Sequence, residues 1–126
     1  MLPKKRQLFY GGTWQEPASG IFTETFNPAT EESLGPVAEG DSEDVDRAVR
    51  SAHQAFPAYR KTAPLERAKM LRDAGAIVRR NAKDIAFIDA VDCGNPVREM
   101  INDTDIAANM LDYFAGLVGE IKGHTG

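Results

Sequence analysis

The pattern of hydrophobic and polar positions changes near Gly40. Before it, short stretches of aromatic and β-branched residues are separated by turn-forming residues, which is typical of β-strands. Residues 8–10 and 13–15 lie on either side of Gly11-Gly12, the kind of pair that joins two strands in a tight turn. We therefore predict a hairpin here, followed by further strands up to about residue 37.

Two of those further strands differ in strength. Residues 21–26 alternate Ile or Phe with Thr or Glu, which indicates a strand with one apolar face. Residues 32–37 predict a weaker strand, because Gly35 and Pro36 lie within it.

After Gly40 the spacing of apolar residues is helical, and we predict four helices between about residues 41 and 122. Asp41 is placed to cap the first helix, and Pro64 suits the first turn of the second. Asn81 resembles a cap for the third helix, which Gly94 closes. Asn95-Pro96 has the form of an N-cap and first residue of the fourth.

Each predicted helix carries one apolar face. The positions, helix by helix, are Val45, Ala48, Val49, Ala52 and Phe56; Leu65, Ala68, Leu71, Ala74 and Val78; Ile85, Ile88 and Val91; and Ile106, Met110, Leu111, Phe114, Leu117, Val118 and Ile121. We predict that Phe56 and Leu71 are core residues of the native protein. Such short strands do not make a stable sheet alone, so the helices form either a small bundle or a layer that needs a sheet.

Composition narrows the class of protein. With 42% hydrophobic and 27% charged residues in 126, the chain is not wholly disordered, and a net charge of −4 does not favour a nucleic-acid binder. The sequence shows neither an apolar run of roughly 18 residues nor a secretory signal, so we expect a cytoplasmic protein that does not enter a membrane. The only basic run, Lys4-Lys5-Arg6, is expected to be a solvated tail.

The sole cysteine, Cys93, is the first candidate nucleophile. It lies at the C-terminal end of a predicted helix beside Asp92, and both features favour thiol over thiolate. We therefore predict a partly buried structural cysteine and no catalytic residue.

The remaining candidates for metal or nucleotide binding are few. His53 and His124 do not make a zinc cluster, and the glycines at 116, 119 and 123 do not form a GxGxxG turn. Asp103 and Asp105 could form a cation-binding pair, although we favour their acting as partners of a helix dipole.

A series of landmarks adds a family resemblance. In chain order they are Gly11-Gly12-Thr13-Trp14, Asn27-Pro28-Ala29-Thr30-Glu31, Val37-Ala38-Glu39-Gly40-Asp41, Val45-Asp46-Arg47-Ala48-Val49, Ala55-Phe56, Glu66-Arg67-Ala68-Lys69-Met70-Leu71, Gly94-Asn95-Pro96 and Tyr113-Phe114-Ala115-Gly116. Together they closely resemble the N-terminal portion of the NAD(P)-dependent aldehyde dehydrogenase superfamily, from about residue 8 to 123.

The resemblance implies a fold and an activity. The fold is α/β: residues 1–126 would be the N-terminal part of a Rossmann-type coenzyme-binding domain, with its main sheet strands later in the chain. The parent enzyme would use a thiolate to attack an aldehyde, pass hydride to NAD or NADP, and hydrolyse the thioester to a carboxylic acid. The family's oxyanion asparagine, nucleotide-binding turn, glutamate base and Gly-Gln-x-Cys motif are not present, so we expect this segment alone to be inactive and to bind no coenzyme.

The resemblance also implies partners and sites. The partners would be the remainder of the polypeptide, a small aldehyde and further copies in a dimer or tetramer, with no nucleic acid. Phe114, Leu117 and Ile121 would line part of the substrate tunnel, although core packing is the alternative role for them. Asp103 is the nearest match to a monovalent-cation ligand, and Asn95 replaces the family's usual lysine. The alternative to an enzyme segment is a self-contained helical interaction module without catalysis.

Overall fold

The computed structural model describes residues 2–120 and divides the chain into two compact units, Met1–Lys61 and Thr62–Gly126. The first unit contains strands and one helix, and the second contains helices. The elements are β1 Leu8–Tyr10, β2 Thr13–Gln15, β3 Phe22–Phe26, β4 Ser33–Ala38, α1 Ser42–Tyr59, α2 Pro64–Arg80, α3 Ala82–Cys93, α4 Val97–Leu117 and a 3-10 turn, Val118–Glu120.

The first hairpin confirms the prediction. β1 and β2 are antiparallel, with Leu8 opposite Gln15. Gly11 and Gly12 have φ angles of 63° and 78°. A two-residue hairpin turn of this kind needs positive φ at both central positions, which explains the glycine pair.

The second hairpin pairs β3 with β4 in antiparallel register, Phe22 opposite Ala38, and the register shifts between Thr25 and Phe26. Gly35 lies opposite Thr25 with φ 93°, a conformation that side-chain-bearing residues rarely adopt. The glycine that weakens the strand pattern therefore accommodates the irregular register.

Helix α1 begins as predicted. The Asp41 carboxylate accepts hydrogen bonds from the backbone N–H groups of Glu43 (2.8 Å) and Asp44 (3.1 Å). The Asp44 carboxylate in turn accepts the N–H of Asp41, which completes a capping box. The predicted apolar stripe is not buried, because Val49 and Phe56 are 60% and 54% exposed.

Helix boundaries in the second unit agree with the sequence at three points and differ at one. Pro64 is the first residue of α2, and Gly94 closes α3 with φ 77°. Asn81 is the N-cap residue of α3, but its side chain makes no capping bond and its amide donates to the carbonyl of Ile77 at 2.8 Å. The prediction of Asn95 as N-cap is wrong: Pro96 holds that position and α4 begins at Val97. The amide nitrogen of Asn95 instead lies 4.0 Å from the sulfur of Met100.

The core of the second unit consists mostly of small side chains. Its buried residues are Ala68 and Gly75 on α2, Ala86 and Ala90 on α3, and Met100, Thr104, Ala108 and Ala115 on α4. On α2 the predicted face is largely confirmed, since Leu71 is half-buried next to Ala68 on the same stripe. On α4 it is largely wrong, because Ile106, Met110, Phe114 and Leu117 of the predicted stripe are exposed.

Candidate functional site

The outward face of α4 is an exposed apolar surface of the second unit. We define it as Ile106, Met110, Tyr113, Phe114 and Leu117, which are 51%, 53%, 59%, 52% and 38% exposed. These residues fall at helical spacings of three and four, so their side chains share one face. The rings of Tyr113 and Phe114 meet edge to face, with their centroids 5.4 Å apart.

Contacts with α2 fix the rotation of α4 that turns this face outward. The Arg79 guanidinium donates to Asp112 at 2.6 Å and to Asn109 at 2.8 Å. Gly75 lies against the backbone of Ala108, so the two helices approach closely. Together these contacts leave the large apolar residues of α4 exposed.

The predicted tunnel residues fall partly on this face. Phe114 and Leu117 are both on it, and Ile121 lies outside the described residues. The sequence therefore identified a real apolar face. It did not indicate that this face is separate from the packed one.

Asp103 is exposed on α4, six residues after the helix begins. Asp103 and Asp105 thus lie beyond the first turn, where the helix dipole has lost most of its effect, and Glu99 is the acidic residue of that turn. The dipole-partner interpretation is therefore wrong. Within residues 2–120, no three His, Cys, Asp or Glu side chains are grouped to hold a metal ion.

Cys93 is exposed, which corrects the prediction of a partly buried cysteine. Its thiol donates to the carbonyl oxygen of Asp89, one turn earlier in α3, at 2.7 Å. The thiol is thus bonded within its own helix.

A coenzyme phosphate would need free N–H groups at a helix start, as in strand–turn–helix nucleotide sites. In the part of the chain that the structure describes, α1 is the helix that directly follows a strand. Its first N–H groups are already bound by Asp41, and Glu43 and Asp44 add negative charge. A phosphate would be repelled there, so the described residues do not form a nucleotide site around α1.

The first unit contains a groove that the sequence analysis missed. It has a volume of about 490 Å³ and lies between residues 9–12 of the first hairpin and Ala48, Ser51, Ala52 and Ala55 of α1. The small residues at helical spacing on α1 were the feature of the sequence that could have indicated this groove. They leave room beside the glycine turn because none of them extends far from the helix.

The comparisons with known proteins agree with this architecture. The pattern of the aldehyde dehydrogenase family matches residues 14–126. The chain belongs to the aldehyde dehydrogenase family. Across 124 residues it is 43% identical to the aldehyde dehydrogenase tropH of Talaromyces stipitatus, covering 98% of this chain and 24% of that protein.

Solved structures show the same fold. A succinate-semialdehyde dehydrogenase from Burkholderia pseudomallei superposes with a TM-score of 0.91 at 33% identity, over 96% of this chain and 25% of that one. A betaine aldehyde dehydrogenase mutant from Staphylococcus aureus, in complex with NAD+, gives a TM-score of 0.85 at 28% identity, over 90% and 23%. The chain thus spans about a quarter of the length of the relatives it matches. Among the helices of residues 2–120, none has the length and apolarity needed to cross a bilayer.

Proposed function

We propose that this chain is the N-terminal part of the coenzyme-binding domain of an enzyme that oxidises an aldehyde to a carboxylic acid with NAD or NADP. The observation that carries the proposal is the family match over residues 14–126. The NAD+ complex of the similar betaine aldehyde dehydrogenase supports the choice of coenzyme.

In this proposal the chain contributes structure and a wall of the substrate passage, and the reacting groups come from other parts of the enzyme. Cys93 donates its thiol proton to the Asp89 carbonyl and the start of α1 is acidic, so we assign neither of them a part in the chemistry. When bound, the nicotinamide coenzyme would accept hydride from the substrate. We assign no step of that transfer to residues of this chain.

Phe114 and Leu117, with Ile121 beyond them, are the residues we propose for the substrate passage. Their support is the exposed apolar face of α4, which would hold the hydrocarbon part of an aldehyde and exclude water. We also propose Asp103 as a ligand for a monovalent cation, a dimer or tetramer as the assembly, and the cytoplasm as the location.

A grafted enzyme tests the proposal directly. We define it as the Talaromyces relative in which the matched 124 residues are replaced by this chain. If the chain performs the same structural role, the grafted enzyme should form reduced nicotinamide from aldehydes, whereas the relative without that segment should not. A grafted enzyme that folds but shows no turnover would instead favour the helical interaction module.

The substrate passage has its own test in the same background. Phe114→Ala should change the ratio of kcat/KM between short and long aldehydes, because it enlarges an apolar wall. Met70→Ala on α2 is the matched control, since Met70 is 51% exposed on a different helix. Equal effects of the two substitutions on that ratio would remove Phe114 from the passage.

A further inference from the structure

The basic run at the start of the chain is not a solvated tail along its whole length. Lys4 is exposed, but Arg6 and Gln7 are half-buried. Lys5 and Arg6 are neighbours in the sequence, and each contacts a different hairpin.

Lys5 contacts the first hairpin. Its ammonium nitrogen lies 5.9 Å from the centroid of the Trp14 ring on β2, within the range of a cation–π contact. The ring of Trp14 also meets Phe9 edge to face, at 5.1 Å between centroids.

Arg6 contacts the second hairpin through both its side chain and its backbone. Its guanidinium donates to the carbonyl oxygen of Leu34 on β4 and, at 3.2 Å, to that of Pro3. Its own carbonyl accepts the backbone N–H of Ala38 at 2.9 Å. The next N–H, that of Glu39, points the other way and donates to Ile21 at 3.0 Å. At the end of β4, the Glu39 amide is thus bonded to the β3 side of the hairpin and the Ala38 amide is bonded to Arg6.

Gly35 makes room for this arrangement. A Cβ atom at position 35 would lie 2.7 Å from a guanidinium nitrogen of Arg6. The same residue has the positive φ that the irregular register requires. Gly35 therefore allows both the irregular register of β4 and the close approach of Arg6.

We propose that residues 3–7 are a clasp, in which Arg6 closes the N-terminal segment over the free side of β4 and Lys5 ties it to the first hairpin. The clasp joins the two hairpins, and substitution or cleavage at Arg6 opens it. An arginine suits this position because its planar fork can donate to two carbonyl oxygens at once, whereas a lysine offers a single nitrogen.

Hydrogen–deuterium exchange of the grafted enzyme, resolved at single amides, tests the clasp. The Ala38 amide should be protected, and Arg6→Ala should speed its exchange by roughly fivefold, the equivalent of one net hydrogen bond. The Glu39 amide is the internal reference, because its partner lies on the β3 side, and its exchange should not change. Lys4→Ala is the matched control and should alter neither amide.

Three results would overturn the clasp: an unprotected Ala38 amide in the unsubstituted grafted enzyme, equal acceleration at Ala38 and Glu39, or an equal effect of Lys4→Ala. Trypsin gives a second measurement that needs no substitution. The grafted enzyme should be cut after Lys4 well before it is cut after Arg6. Equal cleavage rates after Lys4 and after Arg6 would show that Arg6 is as accessible to the protease as Lys4. Neither measurement depends on enzymatic activity, so the clasp and the proposed function fail separately.

Discussion

A Cβ atom placed on Gly75 of α2 would lie 3.2 Å from the carbonyl oxygen of Ala108 on α4. The same Cβ would be 3.4 Å from Oδ1 of Asp112, whose other carboxylate oxygen accepts a hydrogen bond from the Arg79 guanidinium. The closest neighbour is backbone, which cannot rotate away as a side chain would. This contact explains a glycine in a helix interior, where glycine is otherwise unfavourable by about 1 kcal/mol relative to alanine.

We predict that Gly75→Ala lowers the free energy of unfolding by about 1 kcal/mol, because crowding against α4 outweighs the gain in helix propensity. Gly116→Ala is the matched control. Among the described residues, a Cβ there meets nothing within 4 Å, so this substitution should stabilise the helix by up to about 1 kcal/mol. Thermal midpoints of the grafted enzyme at one scan rate would show the two opposite signs. A rise in both midpoints would mean that α2 and α4 are not tightly packed.

A second prediction concerns Asp44, which is 3% exposed. Its carboxylate accepts the backbone N–H of Ala18 at 3.0 and 3.2 Å and that of Asp41 at 3.3 Å. Asp44→Asn places an amide group where these donors need acceptors, so we expect a loss of about 1–3 kcal/mol. Asp46→Asn, which breaks an exposed pair with Arg50, should cost at most about 0.5 kcal/mol. Urea unfolding of both variants decides the order, and equal losses would contradict the role given to Asp44.

The core assignment of Phe56 stays a prediction for the complete enzyme. In the chain by itself Phe56 is 54% exposed, so Phe56→Ala should have little effect on its unfolding. In the grafted enzyme the same substitution should cost about 2–5 kcal/mol if the rest of the polypeptide covers it. The midpoint shift of the grafted enzyme measures that cover. A small shift would show that Phe56 stays exposed.

We predict that the 126-residue chain by itself does not oxidise aldehydes. The measurement is the formation of reduced nicotinamide with a panel of aldehydes. Turnover that Cys93→Ala abolishes would show that Cys93 is a nucleophile after all. Turnover that survives this substitution would place the chemistry on residues that we have not assigned.

We expect the chain by itself to associate or to unfold without a sharp transition. Exposed large apolar residues cover α4, and Leu65, Met70 and Ile77 of α2 are also exposed. Monomeric proteins seldom tolerate large contiguous apolar patches. Thermal melting by circular dichroism with light scattering is the test. A sharp cooperative melt of a monomer would contradict the expectation and favour the helical interaction module.

Interactions between residues close in the sequence determine several turns and helix ends of this chain, and the sequence alone predicted them. The Gly11-Gly12 turn, the Asp41 cap and the left-handed Gly94 follow from backbone geometry, which depends on a few neighbouring residues. The family resemblance rests on the same short segments in order, and the comparisons confirm it.

Only the tertiary structure decided which side of α4 is packed. Hydrophobic periodicity selects the face with the largest apolar side chains, and on α4 this is the outward face of Phe114. The packed face instead carries Ala108 and Ala115, because small side chains let two helices approach closely and contribute little to an apolar pattern. The sequence did not predict the contact of Arg6 with Leu34 either, because the two residues lie about thirty positions apart. Contacts of this kind depend on how the elements meet in space, which the order of residues along one segment does not specify.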